Sequence, residues 1–431
     1  MKSLPPFLVL ACSMLMAATV HAQELPCPEL PFIRGLSVYG GDDESALPVI
    51  AMPDTASKQM RSSLPRYITI RFDVDELAPP RLMLRFKHCD KDWQVDDTPI
   101  VRDDFFTFTR SLLFEGAPAG ANGFRWRFTN SFPSPEHPFV RFLYSGNWMF
   151  EVVDEQDTSA VYASGRFIVV EPLCASTMRV INDYWTRNDP PRDQVHRLEL
   201  QVKIPESVFA DNVRVVDFYR NHALYDNYRV DSYDRQANTF VEGIGLREKT
   251  FIYRNVLPVN GYRVFDLRSA AVYSEDRVAT RFGGPDFTRY RFSTDASLSY
   301  GGMRSAALNS FDAEYLCVEF ELEHVRFKGA DVFVAGKFNE WDPQPADRMR
   351  YDESTGHYHL HRYLLRGAYD YQYVVGNYDP SVGFVADADW VAIEGNSWSA
   401  RNMYWTVVYY DDDQFGGITR AVGFARMISG Q

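Results

Sequence analysis

Residues 139–172 read FVRFLYSGNWMFEVVDEQDTSAVYASGRFIVVEP. This stretch contains three runs rich in aromatic and β-branched residues, at 139–144, 148–153 and 166–170. The turn residues Ser145, Gly146 and Asn147 separate the first two runs, and Pro172 follows the third. Short β-rich runs joined by polar turns are typical of an antiparallel meander. The stretch therefore predicts three strands that close a first β domain, which ends near residue 172.

Composition narrows the range of architectures and partners. A chain of 431 residues is long enough for two to four domains, each with a core of its own. Aromatic residues make up 15% of the chain, with 25 Tyr and 31 Phe, which favours β-sheets over helix bundles. The formal net charge of −13 argues against a nucleic-acid partner, because binding to phosphate backbones requires a basic surface.

The first residues have the pattern of a cleavable secretory signal peptide, which we assign to residues 1–22. Lys2 supplies the positive charge, residues 7–20 form the apolar core, and Val20-His21-Ala22 fits the small-residue cleavage motif. A lipid-attachment site at Cys12 is the less favoured alternative, because its apolar run would be very short. No later run approaches the ~20 apolar residues of a membrane helix. We therefore expect an exported protein that is not inserted in the membrane.

Four cysteines remain after removal of the signal peptide: Cys27, Cys89, Cys174 and Cys317. An oxidising compartment would allow disulfides among them, and four cysteines permit three pairings. Cys89 lies in a strand-like run and is expected to be a buried thiol. Cys27 and Cys174 flank the first domain and could join its two ends. The sequence does not decide the pairing.

The β-type pattern continues to the end of the chain and predicts three tandem β-sandwich modules. The first, residues 23–172, has enough short strands for an immunoglobulin-like sandwich. A hinge is predicted at 171–191, then a middle β domain with linkers at 173–302, and a C-terminal sandwich at 303–431. Three such modules in series are typical of an extended exported adaptor, and no helix of useful length interrupts them.

Two groups of residues carry a resemblance to a known family. The segments His88-Cys89-Asp90-Lys91-Asp92-Trp93, Ser145-Gly146-Asn147-Trp148 and 166–171 resemble the N-terminal domain of the type IX secretion system plug protein family. Trp148 stands where that family usually has Tyr. The turn at 336–341 and the segment 365–373 are similar to the last domain of the same family. The residues proposed for structural or interaction roles are His88, Cys89, Asp90, Trp93, Ser145, Gly146, Asn147, Trp148, Gly336, Phe338, Asn339 and Trp341.

The resemblance implies a non-enzymatic periplasmic protein that associates with the outer membrane. It would dock on the giant outer-membrane β-barrel of the type IX translocon and close that pore when no substrate is passing. The implied partner is the barrel protein, with no cofactor, no nucleic acid and no direct membrane insertion.

The turn at 336–342 also resembles that of early-set, carbohydrate-binding modules, with Trp341 on a sugar face. An exported carbohydrate-binding protein is therefore the alternative function. We favour a structural role, in which Phe338 and Trp341 hold the turn on the sandwich.

Other chemical motifs receive structural interpretations. His357, His359 and His361 alternate along one predicted strand and so share a face, with Tyr358 and Leu360 turned into the core. A flat row on one strand rarely converges on one ion without ligands from elsewhere, so we expect no metal. His88 and Cys89 are neighbours on a strand and face opposite sides, which excludes a nucleophile–base pair. Residues 411–413 lack the pattern of a dedicated calcium loop.

Overall fold

The computed structural model describes residues 26–52, 64–98, 107–109, 111–185, 190–234, 236–274, 277–281, 284–292, 297, 299–306 and 313–430. The predicted signal peptide lies outside the described residues. Six sheets pair into three β-sandwiches. The predicted all-β class of immunoglobulin-like sandwiches is confirmed.

The first sandwich is built from the strands β1 Arg34–Gly40, β2 Val49–Ala51, β3 Ile68–Val74, β4 Leu82–Cys89, β5 Glu115–Gly116, β6 Trp126–Phe132, β7 Gly146–Asp154 and β8 Val161–Val170. One sheet has the order β1-β3-β6-β5 and the other β2-β8-β7-β4. Alternate residues of both sheets point inward, and Phe72, Phe86, Phe150 and Phe167 are buried between them.

The predicted meander is wrong in its first member. Residues 139–144 form an irregular segment, and β4 occupies the position beside β7, paired from Leu82 with Asp154 to Cys89 with Asn147. Val140 and Phe142 of the irregular segment are nevertheless buried in the core. The apolar pattern of residues 139–144 thus predicted their burial correctly. The strand that pairs with β7 is β4, which comes earlier in the chain.

The second sandwich begins with the strands β9 Ala175–Tyr184, β10 Gln194–Lys203, β11 Val213–Arg220, β12 Asn227–Asp231, β13 Thr239–Glu242 and β14 Glu248–Val256. The hinge predicted at 171–191 is wrong, because β9 pairs with β10 along its whole length. Strand β9 lies at the edge of its sheet and buries few side chains, so its sequence has no apolar alternation.

The third sandwich follows with the strands β15 Arg263–Asp266, β16 Arg277–Ala279, β17 Asp286–Phe287, β18 Met303–Ser305, β19 Tyr315–Glu323, β20 Asp331–Gly336, β21 Arg350–Asp352, β22 His357–Leu365, β23 Gly367–Asp379 and β24 Phe384–Asp389. Strand β23 pairs with β15, β18, β20 and β24, and the facing sheet is centred on β19 and β22. Phe265, Phe320, Val334 and Tyr371 are buried between the two sheets.

The chain then returns to the second sandwich. Its last strands, β25 Met403–Asp412 and β26 Ile418–Ile428, complete the sheet β12-β11-β25-β26. Strands from both sides of residue 302 therefore belong to the same sheets. The domain boundaries that the sequence predicted, at residues 172 and 302, stay a proposal. The helical elements are short and are α1 Pro190–Asp193, α2 Val391–Glu394 and the 3-10 turns Ala210–Asn212, Lys337–Asn339, Pro345–Asp347 and Asp413–Phe415.

Each sandwich contacts the other two, so the expected extended series of modules is wrong. The first and second share an apolar cluster that includes Ile168 and Trp405. The first and third meet where Phe124 packs on Tyr315, with ring centroids 6.1 Å apart. The second and third meet at a cluster of buried residues that comprises Ala223, Tyr262, Ala335 and Trp341.

Ion pairs and hydrogen bonds reinforce the contact between the first and third sandwiches. Asp73 pairs with Arg127 at 2.6 Å inside the first sandwich and accepts a 3.0 Å hydrogen bond from Tyr315 Oη of the third. Arg71, which is buried, pairs with Glu44 and donates to Ser305 Oγ at 2.9 Å.

A disulfide joins Cys27 to Cys317, whose Cα atoms are 6.2 Å apart. The considered pairing of Cys27 with Cys174 is therefore wrong, because Cys174 lies in the core of the second sandwich. Cys89 is a buried free thiol, as expected, and Cys174 is another.

The disulfide is expected to stabilise the chain strongly, because its partners are 290 residues apart in sequence. The closed loop restricts the unfolded chain, and a bridge over so long a loop contributes about 2–5 kcal/mol. Cys317→Ser should therefore lower the free energy of unfolding in urea by this amount. As a control, a reducing agent should lower the wild-type value to that of the variant and leave the variant unchanged. Equal stability of the oxidised wild type and the variant would contradict the prediction.

Candidate functional site

The motif residues of the first sandwich come together where β4 and β7 pair. His88 lies opposite Trp148, and Cys89 lies opposite Asn147. The buried imidazole of His88 stands edge-on to the Trp148 ring at 5.3 Å, with Nε2 3.1 Å from the carbonyl oxygen of Ser145. The rings of His88 and Trp148 thus close one end of the first core.

Asp96 faces the other side of this imidazole. His88 Nδ1 lies 3.6 Å from Asp96 Oδ2. The interaction with His88, together with hydrogen bonds from Thr98, lowers the pKa of Asp96 to about 2. Sequence reasoning missed this partner, because Asp96 follows the strand and the turn that the motif covers.

Gly146 is required by close approach of the second sandwich. Its φ is +140°, and a Cβ at this position would lie 2.5 Å from His88 Nε2 and 2.8 Å from the carbonyl oxygen of Thr419 in β26. An L side chain would therefore be strained here and would collide with backbone. Predicted as a turn residue, Gly146 instead begins β7, at the point where β26 passes.

Asn147 joins the two sandwiches through both ends of its amide. Its Nδ2 donates to the carbonyl oxygen of Asp90 at 3.0 Å, and its Oδ1 accepts from Tyr409 Oη of β25 at 2.9 Å. Asp90 in turn shapes the loop after β4, because its Oδ1 accepts from the backbone N–H groups of Asp92 and Gln94 at 2.8 and 2.9 Å. Asn147 and Tyr409 are both buried, so this polar bridge is shielded from water.

Trp93 ends the same loop and packs between the sandwiches. It contacts the apolar cluster shared by the first and second sandwiches. The guanidinium of Arg166 lies 4.8 Å from its ring centroid and 4.2 Å from that of Tyr225. Arg166 therefore sits between an aromatic ring of each sandwich, in cation–π geometry.

Charged side chains complete the same joint. Arg229 pairs with the buried Asp217 at 2.7 Å, with Asp92, and with the carbonyl oxygen of Lys91 at 2.7 Å. Arg420 pairs with Glu171 of the first sandwich as well as with its own sheet. The motif therefore mainly links two sandwiches within the chain and presents few of its groups to a partner.

Cys89 is not arranged for nucleophilic chemistry. Burial raises the pKa of its thiol to about 12, so the thiol is protonated at neutral pH.

The second motif, at 336–341, is also internal. Asn339 fixes the turn, since its Oδ1 accepts from Gly336 N at 3.0 Å and its Nδ2 donates to the carbonyl oxygen of Val334 at 2.9 Å. Phe338 packs on Phe320 of the third core at 5.7 Å. Trp341 is 4% exposed and donates from Nε1 to the carbonyl oxygen of Gly301 at 2.7 Å. A ring so enclosed does not offer a platform to a sugar.

The row of histidines has the predicted orientation on β22. Tyr358 and Leu360 are buried, and the three imidazoles share the opposite face. Glutamates of β19 lie beside them, which the sequence could not show.

A cleft of about 720 Å³ separates the second and third sandwiches. Tyr225, Trp390 and Phe384 line it, together with the carboxyl groups of Asp226 and Asp342. Burial raises the pKa of Asp342 to about 6. Of these residues, only Asp342 belongs to a motif that the sequence indicated, the turn at 336–342; the others come from segments far apart in the chain.

Comparison with known families assigns the first sandwich. Residues 33–171 match the family model described as "Type 9 secretion system plug protein 1st domain". The first sandwich is a type IX secretion system plug domain. The match covers all eight strands of this sandwich, and the suspected family is confirmed for this part of the chain.

Similarity beyond the plug domain is one of fold. The crystal structure of a hypothetical protein from Parabacteroides merdae ATCC 43184 matches with a TM-score of 0.74 and 18% identity, covering 92% of this chain and 97% of that one. A match to Dpr2 Ig1-Ig2, solved in complex with DIP-Theta Ig1-Ig3, has 14% identity and a TM-score of 0.17, and covers 48% of this chain and 80% of that one. No curated protein matches the chain.

The amide bridge between the plug domain and the second sandwich can be tested by a double-mutant cycle. Asn147→Ala removes two buried hydrogen bonds, and each contributes about 0.5–1.5 kcal/mol. The carbonyl oxygen of Asp90 keeps its hydrogen bond from the backbone N–H of Trp93. Because Tyr409→Phe also removes the hydrogen bond between Asn147 and Tyr409, the two substitutions should couple by about 0.5–3 kcal/mol in urea unfolding. The control pair, Asn130→Ala with Tyr409→Phe, should be additive within about 0.5 kcal/mol. Additivity in both pairs would contradict the bridge.

Asp96 should make the stability of the plug domain depend on acid pH. Its folded-state pKa of about 2 lies below its ordinary value of 3.8, so the ionised carboxylate stabilises the folded state above that ordinary value. The stabilisation is lost as the pH falls from about 4 to about 2. Asp96→Asn should flatten this part of the profile of unfolding free energy against pH, whereas Asp97→Asn, at the exposed neighbouring position, should leave the imidazole contact in place. Identical profiles for wild type and Asp96→Asn would argue against the contact.

Proposed function

We propose that this protein is a non-enzymatic periplasmic subunit that docks on the giant outer-membrane barrel of the type IX translocon and closes it. The observation that carries the proposal is the plug domain at residues 33–171. A barrel wide enough for folded cargo leaks unless something closes it. Export by a cleaved signal peptide at residues 1–22 is part of the proposal.

The packing of the chain suits a closing role. A plug must keep its shape against the barrel, and three sandwiches that each contact the other two resist bending better than modules in series. Apolar clusters support all three contacts, and a disulfide spans one of them. Among the described residues, no helix is long and apolar enough to cross a membrane. The net charge of −13 favours a hydrated surface.

The free end of the second sandwich is the first surface to test for docking. Arg247 holds its two loops together, with Nη1 donating to the carbonyl oxygens of Pro205 at 2.6 Å and Val208 at 3.1 Å. Three apolar side chains on these loops are exposed, by 59%, 47% and 62%: Phe209, Ile244 and Leu246. We call these three residues the apolar tip. Apolar anchors with a polar rim are what a protein interface uses.

The carbohydrate-binding alternative has less support. It relies on Trp341 as a sugar platform, and that ring is packed on Tyr262 at 4.5 Å.

Docking is tested by purifying the tagged protein from a mild-detergent extract of outer membranes and identifying what accompanies it by mass spectrometry. A very large barrel protein in stoichiometric amount is the expected result. An eluate without a barrel would overturn the proposal. In a deletion strain, uptake of a large impermeant dye should rise and should return to normal when the gene is restored.

The apolar tip gives a sharper version of the same experiment. Ile244→Asp with Leu246→Asp adds charge to the tip, which should reduce recovery of the barrel and fail to restore the dye barrier. The matched control is Leu77→Asp with Val325→Asp, two positions that are 89% and 77% exposed on the other sandwiches. It should behave as wild type. If the tip variant recovers the barrel normally, docking uses another face.

A further inference from the structure

The outer face of the third sandwich carries three histidines opposite three glutamates. In the antiparallel pair of β19 and β22, the opposed residues are Glu319 with His361, Glu321 with His359, and Glu323 with His357. Directly opposed residues of antiparallel strands project from the same face of a sheet. We call these six residues the His–Glu ladder.

The ladder brings nitrogen and oxygen ligand atoms close together. His357 Nδ1 lies 2.7 Å from Glu321 Oε1, and His359 Nδ1 lies 3.3 Å from Glu319 Oε1. One ligand atom from each of Glu321, His357 and His359 can be chosen so that all three lie within 4.8 Å of one another. Ligand atoms bonded at about 2 Å to one tetrahedral ion lie about 3.3 Å apart, so the three side chains would close in on the ion.

Two imidazole nitrogens of the ladder lack hydrogen bonds. His359 Nε2 and His361 Nδ1 are buried and have no partner among the residues that the structure describes. Their side chains are 17% and 8% exposed. Buried polar atoms are usually paired, and an unpaired imidazole nitrogen is a ready metal ligand. The ladder therefore has potential metal-ligand atoms that make no hydrogen bond with the described residues.

The surrounding charges favour a cation. Strand β21 adds Asp352 opposite His357 and Arg350 opposite His359 on the same face. With Glu319, Glu321 and Glu323, this face has four carboxylates against one guanidinium.

We propose that Glu321, His357 and His359 bind a single Zn²⁺ ion on the outer face of the third sandwich. Two imidazoles and one carboxylate form a ligand set that zinc uses in proteins, with the fourth position open to water or another side chain. The sequence argued against a metal because three histidines on one strand lack ligands from elsewhere. The neighbouring strand β19 supplies the missing carboxylates. This site is independent of the proposed docking role.

The experiment titrates Zn²⁺ into metal-free full-length protein by calorimetry and follows thermal unfolding with and without the ion. Wild type should bind one equivalent and unfold at a higher temperature when zinc is present. His357→Gln with His359→Gln should weaken binding more than about tenfold, since even outer-shell partners account for about 10- to 100-fold. The control, His137→Gln in the plug domain, should bind as wild type does. A wild type that does not bind zinc, or a double variant that binds as tightly as wild type, would overturn the site.

A folding defect would not obscure the result. The metal-free melting temperature of the double variant reports whether it folds. If it does not, Glu321→Gln provides the comparison, because it removes the carboxylate charge and keeps the shape of the side chain. Normal zinc affinity in a folded Glu321→Gln protein would exclude this residue as a ligand and contradict the proposed set.

Discussion

Residues 167–170 of strand β8 are buried on both faces, and the arrangement of the first two sandwiches follows from that. Phe167 and Val169 point into the first core, whereas Ile168 and Val170 point outward into the cluster shared with Trp405. A sheet with two apolar faces must be covered on both sides. The sheet that contains β11 and β25 provides the second cover, so four sheets stack in layers through these two sandwiches.

Polar side chains align the layers that apolar contact holds together. Apolar packing alone would let one sheet slide over the other. The hydrogen bond between Asn147 and Tyr409 and the close approach of β26 to Gly146 each require one relative position of the two sheets. Between the first and third sandwiches, Tyr315 has a comparable role through its hydrogen bond to Asp73. Buried polar groups cost free energy when unpaired, so a displaced arrangement would leave several of them unsatisfied. The family motif of the first sandwich therefore specifies how neighbouring sandwiches pack.

Local patterns predicted the elements well and their partners poorly. The runs predicted at 148–153 and 166–170 lie within β7 and β8, because aromatic and β-branched residues favour strands. The edge strand β9 was missed, since most of its side chains face water. The candidate site depended on contacts that no local pattern encodes. Tyr409 is 262 residues from Asn147, and Cys317 is 290 residues from Cys27. The glutamates beside the histidine row became visible only with the register of β19 and β22.

The return of β25 and β26 to the second sandwich has a consequence for biogenesis. Until the last thirty or so residues emerge, β11 has β12 on one side and an open edge on the other, where β25 belongs. An open edge of this kind can recruit strands from other chains. The middle of the molecule therefore matures last, although its first strands are made early, and a chain that ends before β25 keeps an exposed strand edge.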